Sequence, residues 1–166
     1  MISQTKTDIT FESIYKKPYA PDDTEFREAN AILIPYENLR EGVDYCFSEY
    51  AEEIIQYSRE HGDDYPELNL DIATKDGTYK ALEMHSINIT VGVIIAKTVI
   101  IPAVINLVTS YIYDKIKDLN KEKVEVRVSL ISVKPNGESK QINYEGPVEG
   151  IVELKKICEQ KEKNNG

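Results

Sequence analysis

The chain has 166 residues and a formal net charge of −9, with eleven tyrosines, two cysteines and no tryptophan. That length fits one domain with a core large enough to fold without a metal or disulfide staple, and the composition is neither disordered nor fibrous. The charge is uneven: residues 22–71 carry fifteen acidic and three basic side chains, whereas residues 111–163 carry ten and eleven. This acidity disfavours phosphate backbones, so nucleic acid is not an expected partner.

The first residues, MISQTKTDITF, show no basic segment followed by an apolar run, so no secretory leader is expected. Residues 1–28 are polar, with Pro18 and Pro21, and read as a loosely structured arm; Thr10 to Tyr15 is its one candidate edge strand. Ala29 to Ile34 is a short apolar run closed by Pro35 and reads as a strand. A loop with Tyr36, Asn38 and Gly42 follows. Asp44 to Glu60 is expected to be a helix: Asp44 suits an N-cap, and Phe47, Tyr50, Ile54 and Tyr57 recur at helical spacing. His61 and Gly62 close it as a last-turn cation and a C′ glycine. Its other face is Glu49, Glu52, Glu53, Gln56 and Glu60, a solvated or docking face.

Leu68 to Ala73 alternates, Asp76-Gly77 offers a turn, and Tyr79 to Met84 returns, which predicts a β-hairpin. Ile89 to Val108 is nearly all apolar and reads as either the spine of a soluble domain or a membrane span. Lys97 near its middle opposes a span. On a helical wheel Thr90, Lys97 and Thr98 lie on one side, and Asn106, Thr109, Ser110 and Asp114 on another. The stretch is therefore expected to be two packed pieces that meet at Pro102. Its first half, rich in β-branched residues, suits a strand or a helix, and its second half is a very apolar helix over 103–118. Val124 to Val133 alternates, turns at Pro135-Asn136-Gly137 and returns over Lys140 to Tyr144 as a second hairpin. Gly146-Pro147 opens a last helix, whose tail from Glu159 to Gly166 is expected to fray.

These elements predict an α+β fold: a mostly antiparallel sheet of two hairpins with helices on one face, in an order matching a split βαβ arrangement. No nucleotide, nucleophile-elbow, zinc or calcium fingerprint is present, so no catalytic residue, metal or cofactor is assigned. The cysteines, Cys46 and Cys158, read most simply as buried free thiols in a reducing, cytoplasmic setting; the sequence leaves a disulfide open. The favoured expectation is a module that binds a protein partner or itself. Its candidate interface residues are Glu49, Glu53, Tyr57, Lys97, Tyr111 and Tyr113, because tyrosine is enriched at interfaces and an acidic rim steers basic partners. One alternative is a small-ligand-binding protein or metal-dependent enzyme using Asp71, Glu83 and His85 of the first hairpin. The other is a membrane-associated accessory protein.

Overall fold

The structure, a computed structural model, describes residues 1–75, 81–82, 89–119 and 124–164, and the side chains among these except at positions 40, 81, 82, 119 and 158–164. Among the described residues the strands are β1 (Ile2–Thr7), β2 (Ala31–Ile34), β3 (Tyr36–Arg40), β4 (Val43–Ser48), β5 (Leu70–Ile72), β6 (Ala81–Leu82), β7 (Ile89–Lys97), β8 (Glu125–Val133) and β9 (Ser139–Pro147). The helices are α1 (Phe11–Tyr15), α2 (Thr24–Glu28), α3 (Ala51–Glu60), α4 (Ile101–Leu119) and α5 (Ile151–Asn164). Six strands form one sheet in the order β1-β9-β8-β7-β2-β5, and β3-β4-β6 form a smaller one. The fold is broadly α+β.

The strand of greatest consequence is β7, which lies between β8 and β2. Seven of its nine residues are buried, because helices cover both faces of the sheet at this point. Ile94 and Ala96 join the core under α3, α4 and α5; Ile95 joins a second core with Ile14 of α1 and Phe26 of α2. The neighbouring β2 divides in the same way, Ala31 and Leu33 to the first core and Ile32 and Ile34 to the second. A strand buried on both faces loses its polar alternation and reads as a continuous apolar run. After Lys97 the chain makes one 3-10 turn, Thr98–Ile100, and returns as α4 over the sheet. Because β7 and β8 are parallel neighbours, α4 is the crossover of a βαβ unit.

The Ile89–Val108 stretch is thus a strand followed by a helix. The junction falls at Thr98–Ile100 rather than at Pro102. Pro102 is the second residue of α4, where the missing N–H leaves no hydrogen bond unmade. The segment Thr98–Asp118 is long and apolar enough to cross a membrane by length and composition, and half of it is buried against the rest of the protein. Val104, Leu107, Val108, Tyr111 and Ile112 supply that buried stripe. Lys97 is exposed at the end of β7.

Several expectations need correction. The sheet is mixed: β1–β9, β9–β8 and β2–β7 pair antiparallel, but β7–β8 and β2–β5 pair parallel. Its strand order is not that of a simple split βαβ unit, and helices lie on both faces. The described parts of the first predicted hairpin do not pair with each other. Leu70–Ile72 joins β2 at the sheet edge and Ala81–Leu82 joins β4 of the smaller sheet, both in parallel; the Asp76-Gly77 turn is outside the described residues. Two asparagines bind β5 to β2 instead. Asn30 donates through Nδ2 to the Glu67 carbonyl at 2.8 Å and accepts from the Asn69 N–H at 2.8 Å, while Asn69 Nδ2 donates to the Glu28 carbonyl at 3.3 Å. These bonds fix the partner of β5, which an alternating pattern alone leaves open.

The predicted helix from Asp44 begins only at Ala51. Residues 43–48 are β4, paired antiparallel with β3, and the loop expected around Asn38 and Gly42 is this hairpin, with positive φ at both residues. In the first 28 residues, Thr10 to Tyr15 is no edge strand: Thr10 Oγ1 accepts from the Ser13 N–H and Ser13 Oγ accepts from the Thr10 N–H, a reciprocal cap that starts α1. The edge strand is β1, paired with β9 from Ile2 to Thr7. The second hairpin forms as β8 and β9, with Gly137 at φ +90° in its turn. Its return strand runs to Pro147, so the last helix starts at Ile151, and it continues as helix through Asn164. The Cys46 side chain is buried, and the side chain of Cys158 is outside those described.

Gly150 marks a close approach between the β9 end and α5. A Cβ at Gly150 would overlap the Tyr144 hydroxyl, which donates to the Pro147 carbonyl, and would lie 3.0 Å from Tyr144 Cζ. Gly150→Ala is expected to lower stability by about 1–3 kcal/mol in urea unfolding, the usual cost of overpacking. Adding Tyr144→Phe should recover part of the loss, since one overlapping atom is then gone. Equal stability of Gly150→Ala and the parent would refute the close approach.

Candidate functional site

Two helices present matching faces to one another. On α3, Glu53, Gln56, Tyr57 and Glu60 occur at spacings of three, four and seven; on α4, Tyr111, Asp114, Lys115 and Asp118 repeat the same spacing. Such positions share one side of a helix. With His61 they line a cleft of about 360 Å³ along the α3–α4 seam. Both helices are fixed from beneath, α3 by Ala51, Ile54 and Ile55 and α4 by Leu107, Val108 and Ile112, all in the main core. The cleft residues are therefore the seam above a packed floor.

The geometry within the cleft is specific. Tyr111, 4% exposed, donates its hydroxyl to Glu53 Oε2 at 2.9 Å. Lys115 Nζ donates to the other oxygen, Glu53 Oε1, at 2.8 Å, and lies 5.7 Å from the centroid of the Tyr50 ring. Tyr57 donates to Asp114 Oδ2 at 2.8 Å. The Tyr57 and Tyr111 rings meet edge to face with centroids 5.6 Å apart, and the His61 ring lies 4.1 Å from Tyr57 at an interplanar angle of 32°. His61 Nδ1 is 3.5 Å from Asp64 Oδ2. Below the cleft, Tyr65 shares a 2.9 Å hydrogen bond with Ser110 Oγ. The walls carry four carboxylates and one lysine.

Both cleft tyrosines are held above the ordinary tyrosine range. Burial is the leading cause in each, followed by the hydrogen bond to Asp114 for Tyr57 and to Glu53 for Tyr111, because an adjacent carboxylate opposes the phenolate.

Three of the sequence-derived interface candidates, Glu53, Tyr57 and Tyr111, come together here. Glu49 lies just before α3 and is not among the residues that line the cleft. Tyr113 does not join them; it points away from the core at 41% exposed. Lys97 lies before α4, whose first residue, Ile101, is about 20 Å along the helix from Asp114 at about 1.5 Å per residue. Asp71 accepts from the Ile72 N–H at 2.7 Å and borders a different, smaller cleft of about 170 Å³ with Arg59, Tyr65 and Asn69. Glu83 and His85 are outside the described residues. Among the described residues no three or more His, Cys, Asp or Glu side chains are grouped to hold a metal ion. Gln56 and Glu60 belong to the helical face read from the sequence as solvated or docking, whereas His61, Asp114, Lys115 and Asp118 are not among the sequence candidates; the signal for the α4 residues is the spacing they share with the α3 face. No protein-family model, curated protein or solved structure matches this chain.

The raised tyrosine values set the sign of an alkaline effect. The unfolded chain releases these protons near pH 10 and the folded chain holds them to higher pH. Their stabilisation is therefore complete below about pH 10 and declines as pH rises beyond it. Tyr111→Phe is expected to cost about 1 kcal/mol at pH 8 and to show a shallower fall in urea-derived stability than the parent between pH 10 and 11.5. Identical slopes for the two proteins would contradict the assignment.

Proposed function

We propose that the protein is an interaction module that docks a protein partner, or a second copy of itself, along the α3–α4 seam. The observation that carries this reading is the cleft itself: a tyrosine-floored depression with acidic walls, formed by two helices whose other faces are committed to the core. A half-buried aromatic with a polar tip contributes apolar contact area and a hydrogen bond at once. The acidic walls would steer a basic surface and set its register, as rim charges do. The alternative enzyme reading gains no support from Asp71, whose carboxylate caps its own strand rather than facing the larger cleft.

The test is charge reversal at two exposed wall residues, Glu60→Lys with Asp118→Lys, which leaves the core untouched. Immobilised wild-type protein is expected to retain a partner from lysate, or to self-associate by light scattering, and the variant to lose at least about ten-fold of that binding. A wild-type protein that stays monomeric and retains nothing, or retention unaffected by the reversal, would remove the proposal.

A further inference from the structure

One end of the cleft already holds a cation, and that cation belongs to the chain. The Lys115 ammonium sits on a Glu53 oxygen and near the Tyr50 ring, with its side chain only 21% exposed. A carboxylate against an ammonium with an aromatic ring beside it is a recurring mode of lysine and arginine recognition. Among the described residues, the rest of the cleft repeats these components without a paired cation. Glu60, Asp114 and Asp118 line it beside the Tyr57 and His61 rings. Among the described residues none of these three carboxylates enters an ion pair: Glu60 accepts from Gln56 Nε2 at 3.1 Å and Asp114 accepts from the Tyr57 hydroxyl. The net charge of the lining, with four carboxylates against Lys115, is −3 when His61 is neutral.

Resting on the docking role proposed above, we infer that the vacant part of this cleft receives arginine or lysine side chains from a basic segment of a partner protein, and that Lys115 is an in-chain occupant of the same chemistry. The occupant is a peptide segment rather than a small cation because the acidic field continues past the cleft. Glu49, Glu52, Asp63 and Asp64 flank it on the α3 side, so cationic groups spaced along a chain meet carboxylates at successive positions. Lys115 competes for the same field. Its removal frees Glu53 and raises the net negative charge facing the ligand.

The probe is a fluorescent nonapeptide of alternating arginine and glycine, read by anisotropy at 50 and 200 mM salt, with a glutamate–glycine peptide and spermidine as comparison ligands. The arginine peptide is expected to bind, more weakly at the higher salt. Asp114→Asn with Asp118→Asn should weaken it at least about five-fold, keeping the Tyr57 acceptor at position 114. Glu41→Gln with Glu138→Gln, an equal charge change at exposed positions elsewhere, should leave affinity within about two-fold. Lys115→Met should tighten binding by a few-fold. Four results overturn the inference: no binding at low salt, equal weakening by the two neutralised pairs, weaker binding by a folded Lys115→Met protein, or spermidine binding as tightly as the peptide. If the peptide fails while a partner still depends on Glu60 and Asp118, the docking role stands and the cationic occupant falls. If both fail, the docking role falls with it.

Discussion

The structure depends on one strand being buried on both sides. Ile94, Ile95 and Ala96 of β7 have no solvent face, so every backbone group along them must be paired within the sheet. β8 supplies one side and β2 the other. That pairing forces the chain to leave the sheet at Lys97 and return over it as α4, since the next strand runs parallel to the last. The rotation of α4 is then set by Leu107, Val108 and Ile112, each at most 3% exposed. Once those side chains face the sheet, Tyr111, Asp114, Lys115 and Asp118 face α3. The cleft is thus a consequence of how β7 is covered.

The sequence was legible where one physical pattern had one outcome. The β8–β9 hairpin combines Val126, Val128 and Leu130 on one face with a proline–asparagine–glycine turn, and both signals agree. The central stretch was legible as two pieces because its polar residues change direction. Its junction was misplaced because Pro102 looks like a break, although a proline in the first helical turn begins a helix as readily as it ends one. The failures share a cause. Tyr50, Ile54 and Tyr57 fall at helical spacing because they cap or lie in α3, and Phe47 extends that spacing only by coincidence: it belongs to β4, where Cys46, Phe47 and Ser48 are all buried. Leu70 and Ile72 alternate as a strand should, yet alternation names no partner, and the partner was chosen by the Asn30 and Asn69 side chains. Tertiary pairing, rather than local propensity, decided each of these.

The site was partly legible for a related reason. Glu53, Tyr57 and Tyr111 are identifiable from residue type, an acidic helical face and tyrosines beside an apolar run. Their union, across more than fifty residues of sequence, is a product of α3 and α4 packing on the same sheet face. Tyr113, two residues from Tyr111, was an equal candidate by type. Two positions on a helix differ by about 200° in direction, so one tyrosine enters the seam and the other leaves it.

Glu53 ties the seam together through both of its carboxylate oxygens. Its two oxygens are divided, Oε2 to a nearly buried tyrosine hydroxyl and Oε1 to a lysine at the surface. Removing Lys115 leaves Oε1 facing water, because the Glu53 side chain is 49% exposed, and a partly exposed pair of this kind contributes about 1 kcal/mol or less. Removing Glu53 instead strands the Tyr111 hydroxyl in a site where water has little access, at a cost of about 1–3 kcal/mol. The lysine is therefore exchangeable and the glutamate is not. Under the proposed docking role, a partner's cation would take the place of Lys115 with the α3–α4 packing intact, since the Tyr111 bond that holds the seam together uses the oxygen that the cation would not touch.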